Sequence, residues 1–108
     1  MAQQQATIVM ELEPQHSSSE RLILLLRSLR ALAMQHPGFD GSMIWFSDVK
    51  SRQLLVLSYW STLDAWERFR KAAETTEVLS GVAALLSGPL KERHFIRPNG
   101  WDQFPGLR

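Results

Sequence analysis

Leu57-Ser58-Tyr59-Trp60 runs directly into Ser61-Thr62-Leu63-Asp64-Ala65-Trp66-Glu67-Arg68-Phe69, crowding two indoles, a phenol and a phenyl ring where a strand hands over to a helix. Large aromatic side chains at such a junction can stack on a planar ligand or pack a core. Trp60, Trp66 and Phe69, with Trp45 from an earlier strand, are therefore the candidate ligand-binding residues. Few polar groups could act on a ligand held there. Tyr59 offers a hydroxyl, Arg93 a fixed positive charge, and His94 an imidazole of the kind that serves as a base near neutral pH. These three are the candidate catalytic residues. Lys91, Arg93 and Arg97 alternate along one strand, where they could draw an anion or simply keep a sheet edge from aggregating.

Plainer explanations compete with each assignment. Trp66 recurs with Leu63 and Phe69 at helical spacing, which is the signature of a buried stripe. A lone histidine in a strand is more often structural than catalytic. Trp60, at the end of its strand, is the better candidate for a pocket wall.

Several chemistries are excluded outright. The chain has no cysteine, so disulfides, thiolate zinc sites and cysteine nucleophiles are ruled out. No glycine-rich phosphate loop, histidine pair at metal spacing or nucleophile elbow is present, and no metal site is expected. Twelve Lys and Arg against 11 Asp and Glu give a net charge of +1, too weak a field to draw nucleic acid or anionic lipid. Nine of the 12 cations are arginines, a bias that suits carboxylate recognition but is equally met by solvated surface arginines. Met1 to Met10 lacks the pattern of a signal peptide, and no apolar run is long enough to span a bilayer. The expected setting is cytoplasmic, without membrane or nucleic-acid partners.

The elements that must position these residues follow from periodicity. At 108 residues and 44% hydrophobic, the chain fits one domain with its own core. That domain has a core over about residues 6–97 and a C-terminal tail over 98–108. Thr7 to Leu12 alternates as a strand. Ser17 and Glu20 have the spacing of a capping box, and Leu22, Leu25, Leu26, Leu29, Leu32 and Ala33 continue as a helical stripe with Arg21, Arg27 and Arg30 largely off it. His36-Pro37-Gly38 ends that helix. Phe39 to Phe46 and Gln53 to Trp60 read as a hairpin around Ser47 to Arg52. Ser61 is placed to cap the next helix, whose wetter sides carry the i,i+4 pairs Asp64–Arg68, Glu67–Lys71 and Arg70–Glu74. Thr75 to Leu86 is a further short helix, and Leu90 to Arg97 the last strand. In the tail, Trp101 and Phe104 could dock on the domain or a partner, although termini commonly fray.

This order, βαββαβ, is the split arrangement of ferredoxin-like α+β folds, a four-stranded antiparallel sheet with its helices on one face. It leaves a physical difficulty. The hairpin strands are apolar on both sides, with Met43 and Trp45 against Ile44 and Phe46, and Leu54 and Val56 against Leu55, Leu57 and Tyr59. Helices cover one face only, whereas an open antiparallel face normally carries polar residues. A second copy of the chain, packed sheet to sheet, is the simplest cover, so a homodimer is expected.

Two stretches resemble the antibiotic biosynthesis monooxygenase family, whose members form dimeric α+β barrels. His36-Pro37-Gly38-Phe39-Asp40-Gly41 looks like the family's entry to the second strand. Leu54 to Trp60 followed by Ser61-Thr62-Leu63-Asp64-Ala65 looks like its strand ending in tryptophan, then a polar cap and a helix. The resemblance spans Thr7 to about Arg97. It implies a monooxygenase that needs no metal, flavin or other cofactor and acts on a small aromatic or quinol-like compound. In the family's haem-degrading branch a histidine on or after the second helix binds iron. Leu63 to Leu86 contains none, and Phe69 stands about where that branch has a tryptophan, so haem degradation is disfavoured. The alternative is a non-catalytic ligand-binding or structural dimer of the same fold. RNA-binding relatives of this topology carry exposed aromatics, glycines and cations on the central strands, and Leu54 to Trp60 is too apolar for that.

Overall fold

The computed structural model describes residues 5–48 and 53–97. Strands β1 (Ala6–Leu12), β2 (Phe39–Phe46), β3 (Leu54–Trp60) and β4 (Lys91–Ile96) alternate with helices α1 (Ser19–Ala33), α2 (Leu63–Lys71) and α3 (Ala73–Ala84). The strands form one antiparallel sheet in the order β2-β3-β1-β4. This is the expected βαββαβ frame, with its second helical segment divided at Ala72, whose backbone is extended (φ −62°, ψ 141°).

Alternation in the strands decides the two faces. Ala6, Ile8, Met10 and Leu12 of β1, with Leu54, Val56 and Trp60 of β3, are buried under the helices. They meet Leu22, Leu26, Leu29 and Ala33 of α1, Trp66 and Phe69 of α2, and Leu79 and Val82 of α3. Each fully buried large apolar side chain stabilises the fold by about 1.5–3 kcal/mol. The opposite face carries Val9, Leu55, Leu57, Tyr59, Met43, Trp45 and Phe95, and the described helices pack on the other one. Met43, Trp45 and Phe95 are 49%, 55% and 53% exposed, so the hairpin is indeed apolar on both sides. Even on the helical side the cover stops short of β2, leaving Phe46 67% exposed.

Local details differ from expectation where a competing partner intervenes. Ser17 does not cap α1. It adopts a left-handed backbone (φ 68°) in a turn closed by Ser18 N–H donating to Gln15 O at 3.1 Å, and Ser18 takes the cap position without a side-chain bond. Nor does Ser61 cap α2. Its amide donates to Gly38 O at 2.7 Å, and the helix starts one residue later, with Thr62 Oγ1 accepting from Ala65 N–H at 3.0 Å. Arg70 does not pair with Glu74. The break at Ala72 disrupts the i,i+4 geometry, and Arg70 Nε meets Glu92 Oε1 on β4 at 3.1 Å. Ser47 N–H donates to Gln53 O at 3.0 Å, closing the hairpin. Residues 49–52 of its turn, and the tail over 98–108 with Trp101 and Phe104, lie outside the described residues. No helix among the described residues is long and apolar enough to cross a membrane.

Candidate functional site

Helix α1 lies beside α3 over the sheet. The space left between α1 and the β2–β3 hairpin is a cavity of about 320 Å³, near the lower end of the ~300–1,000 Å³ range of small-molecule sites. Met10, Val56, Ser58 and Trp60 line it from the sheet, and Leu26, Leu29 and Ala33 from α1. Phe39, Trp66 and Phe69 supply an aromatic end, and Arg27, Arg30, Ser42, Met43 and Ile44 complete the wall. The buried members of this set form the interior, whereas Arg27, Arg30 and Met43 are exposed and mark the rim.

Trp60 is the hub. Its ring lies 5.2 Å from Phe39, 5.7 Å from Trp66 and 5.1 Å from Phe69, with interplanar angles of 61°, 62° and 31°. Edge-to-face and offset contacts at these separations contribute about 0.5–1.5 kcal/mol each beyond burial. A buried indole N–H also needs an acceptor, and Trp60 Nε1 donates to Ser58 Oγ at 2.9 Å. Ser58 lies two residues earlier on the same strand, hence on the same face.

Phe39 reaches the cluster through a β-bulge. Phe39 opposes Trp60 and Gly41 opposes Tyr59, so Asp40 is an extra residue on β2. Strict alternation would put Phe39 on the open face with Gly41, Met43 and Trp45. The bulge shifts the parity by one and turns Phe39 inward. Gly41, at φ +134°, supplies the backbone conformation that an L side chain rarely adopts.

Among the described residues, the cavity's polar side chains are those of Ser42, Ser58, Arg27 and Arg30. Ser42 sits directly opposite Ser58 in the β2–β3 register. Because Ser58 accepts from Trp60, its own proton remains free to donate. No imidazole or carboxylate of the described residues lines the space. Among the described residues, no three His, Asp or Glu are grouped to hold a metal ion.

The candidates read from sequence separate by strand parity. Trp60, Trp66 and Phe69 come together on the cavity. Trp45 does not, because it lies on the open face of β2. Tyr59, between Ser58 and Trp60, also faces away, with its hydroxyl donating to Met43 Sδ at 3.5 Å. Arg93 shares that face and pairs with Glu11 through Nε and Oε2 at 3.0 Å, and Lys91 belongs to the same row. His94 is on the helical side but on edge strand β4, separated from β3 by β1. Its Nε2 lies 2.8 Å from Glu92 Oε2 and its ring 6.4 Å from Trp66, and it does not line the cavity. Sequence reading missed Phe39, Ser42, Ser58, Arg27 and Arg30 as lining residues. Gly41 inside a strand pattern was the one available sign of a bulge.

No family model matches the sequence, and no curated protein matches it either. Solved structures do match. A conserved protein of Methanosarcina mazei Go1 superposes with a TM-score of 0.81 at 10% identity over 90% of this chain and 96% of that one. A Caulobacter crescentus protein ascribed to the antibiotic biosynthesis monooxygenases gives 0.80 at 14% identity, over 91% and 93%. SnoaB, a cofactor-independent oxygenase of Streptomyces nogalater, gives 0.73 at 16% identity, over 88% and 92%. The chain therefore has the ferredoxin-like fold of the antibiotic biosynthesis monooxygenases.

Proposed function

We propose that the cavity binds a small planar aromatic compound of phenol or quinol type, and that the protein oxygenates it without metal or flavin. The observation that carries this reading is the apolar cavity built around Trp60, in a fold shared with a cofactor-independent oxygenase. In such chemistry the ionised substrate gives its electrons to dioxygen. A ring C–H becomes a carbonyl carrying one oxygen atom, and the other leaves as water with that hydrogen and the phenolic proton. The protein's part is to exclude water, orient the ring and favour its anionic form. Phe39, packed on the buried Trp60, supplies the aromatic surface, Ser58 and Ser42 supply hydroxyl donors, and the charges of Arg27 and Arg30 favour the anion.

The lack of an imidazole or carboxylate among the described residues of the cavity wall favours a second reading, in which the same pocket binds its ligand and performs no chemistry. A panel of phenols and quinols separates the two, with tryptophan fluorescence reporting binding and oxygen uptake reporting turnover. Oxygen uptake that Trp60→Phe reduces severalfold supports the oxygenase. Saturable binding with no oxygen uptake leaves the binding protein. No binding across the panel overturns both. Phenylalanine is the substitution of choice because Trp60→Ala would open a core cavity costing about 3–5 kcal/mol.

We also propose that a second copy of the chain covers the open sheet face. The support is the apolar band of Val9, Leu55, Leu57, Tyr59, Met43 and Trp45, since contiguous apolar surface of this kind marks an interaction face.

A further inference from the structure

We infer that the ligand of this cavity is an anion, a planar aromatic whose rings lie in the apolar interior and whose carboxylate is met by Arg27 and Arg30 at the rim. The inference rests on the aromatic-binding reading above and narrows it to a substrate class. Among the described residues, every charge on the cavity wall has one sign, since the lining includes two arginines and no Asp or Glu. Arg27 and Arg30 are three residues apart on α1, so their side chains leave the same side of the helix as neighbours. Arg27 has no ion pair or hydrogen bond among the described residues. Arg30 has only a long contact from Nη1 to Met34 Sδ, at 3.8 Å. Arginines on a helix surface usually find a carboxylate within reach or point into solvent, and these two, though exposed, also border an apolar cavity.

The chemistry of the two ends then fixes the ligand's orientation. A carboxylate pushed into the interior would lose its water among Leu26, Leu29, Ala33 and the aromatic rings without recovering charged partners. At the rim it keeps part of its hydration and gains planar guanidinium forks that match its geometry. The rings prefer the opposite end, where apolar burial and stacking are available. A phosphate is less well suited, because sites for it draw on helix N-termini or backbone amide nests. The N-terminus of α1, at Ser19, lies two turns away from Arg27.

The test is calorimetric titration of the full chain with 1-naphthol, 2-naphthoate and 1-hydroxy-2-naphthoate, repeated on the double variant Arg27→Gln/Arg30→Gln. Both side chains are exposed, so the variant should keep its fold, which circular dichroism checks. We expect the hydroxynaphthoate to bind the native chain about tenfold more tightly than the naphthol, the ratio for two partly exposed ion pairs acting together. The preference should vanish in the double variant, whose affinity should fall far more for hydroxynaphthoate than for naphthol, and should shrink as salt rises. Equal binding of naphthol and hydroxynaphthoate by the native chain would overturn this inference alone and leave the aromatic-binding reading standing. A preference that survives the double variant would likewise overturn the role of Arg27 and Arg30. Binding of none of the three would overturn both.

Discussion

Trp60 is 1% exposed, and an indole so buried is tolerable only if its N–H is satisfied. Ser58 does this at 2.9 Å, and it is itself 8% exposed. Removing the hydroxyl would leave a buried donor without an acceptor, which costs about 1–3 kcal/mol. Ser58→Ala should therefore lower stability in urea unfolding by that amount, at fixed protein concentration, while Ser58→Thr should lose less because it keeps the oxygen. Equal losses for the two variants would show that packing around the side chain, and not the hydroxyl, sets the stability there. At this scale the sequence was legible where side-chain size decides. Trp60, Trp66 and Phe69 announce themselves as burial whatever they face. Ser58, Arg27 and Arg30 carry no such signal, because a serine in a strand and arginines on a helix are ordinary until a cavity appears beside them. Tyr59 and Arg93 were plausible by type, but strand parity turns both to the other face.

The elements meet most tightly where α1 ends, β2 begins and α2 starts. Gly38, at φ +92°, runs against that corner. A Cβ there would lie 2.6 Å from Ala65 Cβ and 2.8 Å from Ser61 Oγ, while Gly38 O accepts from Ser61 N–H at 2.7 Å. Gly41, at φ +134°, has open space where its Cβ would be. The two glycines thus separate backbone strain from crowding. Backbone strain alone costs on the order of 1–3 kcal/mol, and Gly41→Ala should show a loss of that size in chemical denaturation. Gly38→Ala should lose more, since Ala65 Cβ is fixed to helix backbone and cannot swing aside. A smaller loss at Gly38 than at Gly41 would contradict this packing. Right-handed crossovers put the helices on one face of the sheet, and periodicity made every element legible. Its boundaries were less so, because hydrogen bonds from distant segments shifted them. The bond from Ser61 to Gly38 moved the cap to Thr62, and the bulge at Asp40 moved Phe39 across the sheet. Neither partner is near in sequence, so local spacing could not reveal them.

For the whole molecule the decisive feature is a sheet with two apolar faces and helices on only one. Leu57 sits at the centre of the bare face, flanked in register by Val9 of β1 and Met43 of β2. Arg93 and Glu11 stand at the β4 side of this band, their charges paired at 3.0 Å. Such a pair can fix the orientation of an incoming copy, while the apolar band supplies most of the association energy. If a second chain covers the face, light scattering at micromolar concentration should give twice the 12.4 kDa chain mass. Leu57→Glu then becomes the informative variant. Its side chain is only half-buried in the single chain, so a carboxylate there can reach water in a monomer but would be trapped, like-charged against its symmetry mate, in a sheet-to-sheet dimer. The variant should sediment as a monomer with an unchanged helical circular-dichroism signal. A native chain that sediments as a monomer would remove the dimer altogether. A Leu57→Glu variant that remains dimeric would instead move the interface off this face, leaving the exposure of Met43, Trp45 and Phe95 to be explained by another partner.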